Sequence, residues 1–266
     1  MIGRMRILCI AALMLSVGLA VPARAKAPSR AERVARAMSR AHLTPRTARV
    51  LQVTGPRVLL GEIVDASRPE SDAIPAYRVW SYDARRDAAQ VVLARAAWAA
   101  WAGSDLLAVE GGALKLHAHG VTRTLLARAA PDFAVDPSGR WIAAVVRRPE
   151  LSLDTDLVLI PEQGGPARPI AAFAGSSESR PLFTPDDRAV IFVSGRGGLA
   201  SLWRAPIEGG PARQLTNVGL RAQGGRLPKG FVPPPPDVAA MHWEGAHTLV
   251  YTAAGRAVRV DAGGAR

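Results

Sequence analysis

The sequence predicts an all-β fold, a β-propeller of about five four-stranded blades (six is the alternative count) with a short N-terminal helix. Three observations predict it. Residues 180–217 contain four short apolar runs separated by three turn signals, the pattern of an antiparallel meander. The sequence Gly-Gly-Pro-Ala-Arg occurs at residues 164–168 and again at 209–213, an interval of 45 residues (209 − 164) that fits one blade. The 21 prolines and 25 glycines recur as turn formers between apolar runs.

Turn chemistry explains why the stretch 180–217 forms strands. Pro185 fixes φ at about −65° for the second position of a turn, and Asp186 can accept nearby backbone N–H groups. Residues 190–193 form a continuous apolar run, which suits a strand buried on both faces between neighbouring blades. Taken alone, the stretch also fits an ordinary meander in a β-sandwich, but the repetition along the chain favours a propeller.

The repeat extends beyond that stretch and carries a resemblance. Residues 137–140 (Pro-Ser-Gly-Arg) precede residues 185–188 (Pro-Asp-Asp-Arg) by 48 positions (185 − 137), and Phe183 stands just before the second of these turns. With Leu215-Thr216 after the second Gly-Gly turn, these residues resemble the WD40-like (PD40) repeat of the TolB family of periplasmic propellers. The resemblance implies a propeller that binds a protein or polymer at one of its faces.

The chain divides into five repeat units. The predicted bounds are residues 50–53, 58–64, 77–82 and 90–93 for the strands of the first unit, and 98–128, 131–173, 180–217 and 237–266 for the second to fifth units. The last unit lacks an outer strand. Because an unpaired sheet edge invites unwanted pairing, we hypothesise that residues 50–53, or the strand next to them, supply the missing strand.

The N-terminal residues 1–25 are predicted to be a secretory signal peptide. Arg4 and Arg6 give a positive start, residues 7–19 are apolar, and Ala23-Arg24-Ala25 is a typical cleavage site. The mature chain would begin at Lys26 and would lack the single cysteine, so we expect a periplasmic or secreted protein without a membrane span.

The mature chain is predicted to have two parts. Residues 26–45 form a helix and linker, in which Ser29 and Glu32 make a capping box before an amphipathic run at 31–41. This helix either docks on the propeller or recruits a partner. Residues 46–266 form the propeller, with an irregular insertion at 220–236 whose four prolines, Pro233–Pro236, favour polyproline II as a spacer or as a ligand.

The charge is strongly positive and comes mainly from arginine. Lysine plus arginine total 34 against 22 acidic residues, a formal charge of +12. The arginines are scattered and form no basic block, so nucleic acid is not the expected partner. Binding of anionic envelope polymers through arginine stays an alternative.

No catalytic motif stands out, so we predict that the chain is not an enzyme and holds no cofactor or metal. There is no G-x-S-x-G elbow and no H-E-x-x-H sequence. His117 and His119 lie at alternate positions of one strand, yet two ligands are too few for a metal site. Asp154 and Asp156 could bind calcium in a loop, although turn aspartates more often bond their own backbone. Tryptophans recur in each repeat, which favours packing between blades over stacking on sugars.

The predicted function is that of a non-catalytic periplasmic binding module of the cell envelope, similar to TolB. Its expected partner is an envelope protein or polymer at a propeller face. The alternatives are a propeller hydrolase or lyase, and the arginine-mediated polymer binder. Convergence of at least two carboxylates or histidines on one axial pocket would favour an enzyme.

Overall fold

A computed structural model describes residues 27–65, 76–148, 154–196, 200–216, 241–253 and 256–262. Within these ranges the chain forms one helix, α1 (Arg30–Arg40), followed by nineteen strands in five antiparallel sheets. The predicted all-β propeller of about five blades with a short N-terminal helix is therefore confirmed.

Each sheet is one blade of a five-bladed propeller. Blade 1 contains β1 (Ala48–Thr54), β2 (Arg57–Asp65), β3 (Ala76–Asp83) and β4 (Ala88–Ala96). Blade 2 contains β5 (Trp98–Ala102), β6 (Asp105–Glu110), β7 (Ala113–Ala118) and β8 (Val121–Leu126). Blade 3 contains β9 (Ala129–Val135), β10 (Trp141–Arg147), β11 (Thr155–Pro161) and β12 (Arg168–Ala171). Blade 4 contains β13 (Glu178–Phe183), β14 (Ala189–Ser194), β15 (Ser201–Pro206) and β16 (Arg213–Gln214), and blade 5 contains β17 (His242–Glu244), β18 (Thr248–Ala253) and β19 (Arg256–Asp261).

The blades pack face to face in chain order. One apolar core joins blades 1 and 2, and further cores join blade 2 to blade 3, blade 3 to blade 4, and blade 4 to blade 5. Strand β14 is buried along its whole length, as its continuous apolar run predicts. Phe192 faces the core shared with blade 3, whereas Ile191 and Val193 face the core shared with blade 5. Because side chains alternate along a strand, β14 packs against both neighbouring blades.

Helix α1 covers the side of blade 1 that faces away from blade 2. The Ser29 hydroxyl accepts the Glu32 N–H (3.2 Å) and the Glu32 carboxylate accepts the Ser29 N–H (2.6 Å), which is the predicted capping box. The buried residues of helix and blade form one cluster, composed of Ala37, Ala41, Val58, Leu60 and Tyr82. Leu59 points the opposite way, into the core shared with blade 2. The helix therefore docks on the propeller.

Arginines bridge neighbouring blades near the outer strands. Arg123 on β8 donates to the carbonyl oxygens of Glu162 (3.2 Å) and Gln163, in the turn after β11 of the next blade. Arg168 on β12 donates in the same way to the carbonyl oxygen of Ile207, in the turn after β15. Arg168 ends the first copy of the repeated Gly-Gly-Pro-Ala-Arg sequence, so the motif ties its blade to the following one.

The hypothesis that residues 50–53 complete the last blade is wrong. They belong to β1, which pairs with β2 along Ala48–Thr54 and is the first strand of blade 1. The pairing is local because residues 55–56 form a tight turn, with Gly55 at φ +54°. Among the described residues, the fifth sheet consists of β17, β18 and β19 alone.

Some sequence-based predictions fall outside the described residues. These are the signal peptide at 1–25, the insertion at 220–236 and the final residues 263–266. Within the described ranges, no helix combines the length and apolar character needed to cross a membrane.

Candidate functional site

The first strands of blades 1 to 4 begin at the same end of the propeller and surround a cavity of about 800 Å³. We call this cavity the axial pocket. Successive meanders run in the same direction, so each first strand brings its N-terminal residues to this end. The wall is completed by α1 and the segment after it, and the lining residues include Met38, Arg46, Arg49, Val50, Ile63, Trp98, Pro131, Asp132, Phe133, Thr155, Glu178, Ser179, Arg180 and Pro181.

Two carboxylates line this pocket. Asp132 on β9 is half-buried, and its Oδ2 accepts the backbone N–H of Arg180 (2.7 Å). Burial raises the pKa of Asp132, against the lowering effect of Arg180. Arg180 itself has φ +56°, a left-handed conformation that is uncommon for a residue with a side chain. The bond to Asp132 thus holds two neighbouring blades together at the pocket wall.

Glu178 on β13 is fully buried, and only one of its two carboxylate oxygens has hydrogen-bond partners among the described residues. Its Oε1 accepts hydrogen bonds from the Ser194 hydroxyl (2.9 Å) and from Nη2 of Arg196 (2.8 Å). Its Oε2 has no hydrogen-bond partner among the residues that the structure describes. Burial raises the pKa of Glu178, although Arg196 and Ser194 favour the charged form. This oxygen is closed to solvent, so it is an unsatisfied acceptor inside the protein and not part of the open pocket surface.

Arg196 is itself held in place by aromatic rings. Its guanidinium carbon lies 4.7 Å from the ring centre of Trp203, 5.3 Å from Phe173 and 5.6 Å from Phe192. Such cation–π contacts restrict a long side chain that would otherwise have many rotamers. The orientation of Glu178 is therefore fixed before any ligand arrives.

Arg46 and Arg49 give the pocket rim a positive charge. Both are exposed, and neither side chain forms a hydrogen bond or ion pair with any described residue. They stand beside apolar walls that include Trp98 and Phe133. The pocket therefore offers cationic donors at its rim and apolar surface beside them.

The histidines considered as metal ligands have other roles. His117 bonds through Nε2 to the Glu110 carboxylate (2.8 Å) and through Nδ1 to the Thr122 hydroxyl (3.0 Å). His119 lies in the turn after β7 with φ +50°, so the two imidazoles do not share a strand face. The described part of the chain contains no group of three or more His, Cys, Asp or Glu side chains arranged to hold a metal ion.

The aspartates considered for calcium binding are engaged in separate contacts. Asp154 accepts the backbone N–H of Gly175 (2.8 Å), whereas Asp156 forms a two-pronged ion pair with Arg148 (2.6 and 2.8 Å). Asp136 stabilises its own turn, because it accepts the Trp141 N–H (3.1 Å).

The tryptophans contribute to packing between blades. They lie partly buried against the cores shared by adjacent blades, and they are Trp98, Trp101, Trp141, Trp203 and Trp243. The Trp243 indole also donates to the carbonyl oxygen of Phe183 (2.8 Å) in the preceding blade. Trp98 also lines the wall of the axial pocket.

Sequence reasoning missed the residues of the axial pocket. They are distributed over four blades and form no local motif. One signal could have found a pair of them, because Asp132 and Arg180 are separated by 48 residues (180 − 132), the interval between the aligned turns at 137–140 and 185–188. Residues at equivalent positions of adjacent blades are expected to meet near the axis.

Comparison with solved structures shows the same fold, whereas comparison with known sequences finds no match. No protein-family model matches the chain, and no curated protein sequence matches it. A solved nidogen/laminin complex contains a similar chain, with 10% sequence identity and a TM-score of 0.51 over 77% of this chain and 72% of that one. TolB from Acinetobacter baumannii is similar at 14% identity and a TM-score of 0.45, covering 80% of this chain and 67% of TolB.

The comparison also corrects the prediction that the chain is not an enzyme. An acylaminoacyl peptidase, solved with a chloromethyl ketone, has 12% identity and a TM-score of 0.52 over 82% of this chain. This chain spans only 37% of that peptidase. The prediction was wrong to exclude catalysis, because the same fold occurs in an enzyme. The five blades, with the likenesses to the nidogen/laminin chain and to the peptidase, confirm the predicted β-propeller fold and leave enzymatic activity open.

Proposed function

We propose that this protein is a binding module of the cell envelope that receives a segment of a partner protein in its axial pocket. One observation carries the proposal: four blades converge on a pocket whose apolar walls lie beside two exposed arginines, Arg46 and Arg49, whose side chains have no partner among the described residues. Placement in the periplasm or outside the cell rests on the predicted signal peptide at 1–25.

A protein segment suits the pocket in size and chemistry. About 800 Å³ is within the range of pockets that bury most of a drug-sized ligand, and it could hold a few residues of an extended chain. The apolar walls at Trp98 and Phe133 would bury side chains of the partner. The backbone of an extended segment offers carbonyl acceptors for the arginines.

Site-specific cross-linking tests the proposal. A photo-reactive residue at position 45 would report contacts at the axial pocket in living cells, because Pro45 lines the pocket and is exposed. The same residue at position 86 is the matched control, because Arg86 is also exposed but lies in the turn between β3 and β4, at the opposite end of the propeller. We expect a discrete cross-linked partner from position 45 and none from position 86. Equal products from both positions, or none from position 45, would contradict the proposal.

A hydrolase or lyase is the second candidate function. It is favoured by the presence of Asp132 and Glu178 in one pocket, each with a pKa raised by burial, since a general acid must keep its proton near neutral pH. A screen of the purified protein against peptide, ester and glycoside substrates tests it. Activity that disappears in Glu178→Gln and persists in Arg86→Gln would establish it, and activity that survives Glu178→Gln would exclude Glu178 from the reaction.

A further inference from the structure

We infer that the axial pocket selects a peptide segment that carries a carboxylate, with Arg46 and Arg49 binding the carboxylate and the apolar wall at Trp98 and Phe133 packing against side chains of the same segment. The inference rests on the proposed function and specifies the chemistry of its ligand. It assigns separate tasks to the rim beside blade 1 and to the apolar wall formed by blades 2 and 3.

The rim carries two arginines that can bind an anionic group. Arg46 and Arg49 stand three positions apart around the start of β1, and both are exposed without a partner among the described residues. Most other pocket-facing charges are already engaged, as Asp132 is by the N–H of Arg180. A planar guanidinium presents paired N–H donors that match the two oxygens of a carboxylate.

The wall suits apolar side chains. Trp98 and Phe133 line it. Burying apolar surface of a ligand against them is favourable. Glu178 also lines the pocket, but its Oε2 is closed to solvent, so a ligand in the pocket does not reach that oxygen.

The same two features argue against a densely charged polymer as the ligand. A polyanion would bring phosphate or sulfate groups next to Asp132 and Glu178, and like charges in a partly buried pocket repel each other. It would also offer no apolar groups for Trp98 and Phe133. A peptide with one carboxylate satisfies the rim and the apolar wall together.

A defined peptide mixture tests the inference. The purified protein is exposed to three pools of N-acetylated hexapeptides with distinguishable masses. One pool lacks Asp and Glu and has a free C-terminal carboxylate, the second is its C-terminal amide, and the third is an amide pool that contains Asp and Glu. The retained fraction of each pool is read by mass spectrometry. This design shows whether the bound carboxylate is the C-terminal one or belongs to an Asp or Glu side chain.

We expect the amide pool without acidic residues to be retained about 10-fold less than at least one carboxylate-bearing pool, the effect of losing one charge-assisted contact. Arg46→Gln and Arg49→Gln should each remove that preference, and Arg86→Gln, an equal change of charge at the other end, should preserve it. Both rim arginines are exposed, so these variants should fold. Equal retention of all three pools, or an unchanged preference in both rim variants, would overturn the inference.

The result is separable from that of the cross-linking experiment. If position 45 cross-links a partner while the pools show no preference for a carboxylate, the pocket binds protein and the assigned ligand chemistry is wrong. If position 45 yields no partner and the pools show the expected preference, the ligand chemistry stands and the role as a protein-binding module fails.

Discussion

Gly164→Ala tests how the repeated Gly-Gly-Pro-Ala-Arg turn connects blades 2 and 3. Gly164 has φ +90°, and a Cβ placed there would lie 2.7 Å from Nη1 and 3.2 Å from Cζ of Arg123. That guanidinium donates to the carbonyl oxygens of Glu162 and Gln163 in the same turn. An alanine must therefore strain the backbone and also displace the arginine that ties the two blades together.

The expected cost has two parts. A residue with a side chain at positive φ costs about 1–2 kcal/mol. Loss of the Arg123 hydrogen bonds adds about 1 kcal/mol, a low value because Arg123 is exposed and water competes for its donors. The sum of about 2–3 kcal/mol corresponds to a fall of about 4–12 °C in Tm for a chain of this size.

The second copy of the motif provides the control. Gly209 has φ +102°, yet a Cβ there would meet only Nη1 of Arg168, at an ordinary 3.8 Å. Gly209→Ala should therefore cost the backbone strain alone, about 1–2 kcal/mol by urea denaturation. In an Arg123→Ala background, the cost of Gly164→Ala should fall to that of Gly209→Ala. If the two glycine variants are equally destabilised in the presence of Arg123, the inter-blade contact contributes nothing and the reasoning fails.

Three further predictions concern the pocket, the core and export. The raised pKa values of Asp132 and Glu178 mean that the folded chain holds the protons of both carboxyl groups more tightly than the unfolded chain does. Their contribution to the free energy of unfolding is therefore largest at low pH and declines as the pH rises through the raised pKa values. The Asp132→Asn, Glu178→Gln double variant should lose this decline in urea titrations from about pH 4 to 8. Phe192→Ala, in the core between blades 3 and 4, should cost about 3–5 kcal/mol, whereas Val121→Ala on the surface should cost about 0.5 kcal/mol or less. N-terminal sequencing of the exported protein should begin at Lys26, and a chain that retains Met1 would contradict the predicted signal peptide.

Much of the fold could be predicted because its determinants are local. Turn formation at residues 185–188 and 209–213 depends on proline, aspartate and glycine at fixed positions, and these are visible in the sequence. The capping box of Ser29 and Glu32 is equally local, and the structure forms it. Repetition then turns a series of local signals into an architecture, since each unit must bury its faces against its neighbours.

The pairing of the end strands and the site could not be predicted in this way. Nothing in residues 50–53 distinguishes a strand that begins blade 1 from one that completes blade 5, because the apolar pattern fits either. The pocket depends on where distant strands start, and Glu178 gains its character from burial and from Ser194 and Arg196. A carboxylate at the start of a strand is unremarkable in sequence until the neighbours that bury it are known.

The central claim is that ligands bind where the first strands of blades 1 to 4 begin. An experimental structure of the protein with a retained peptide from the carboxylate-bearing pools tests it most directly. We expect the peptide to occupy the axial pocket, with its carboxylate beside Arg46 or Arg49 and its side chains against Trp98 and Phe133. A peptide bound at the outer strands of the blades, or at the end that carries Arg86, would contradict the claim.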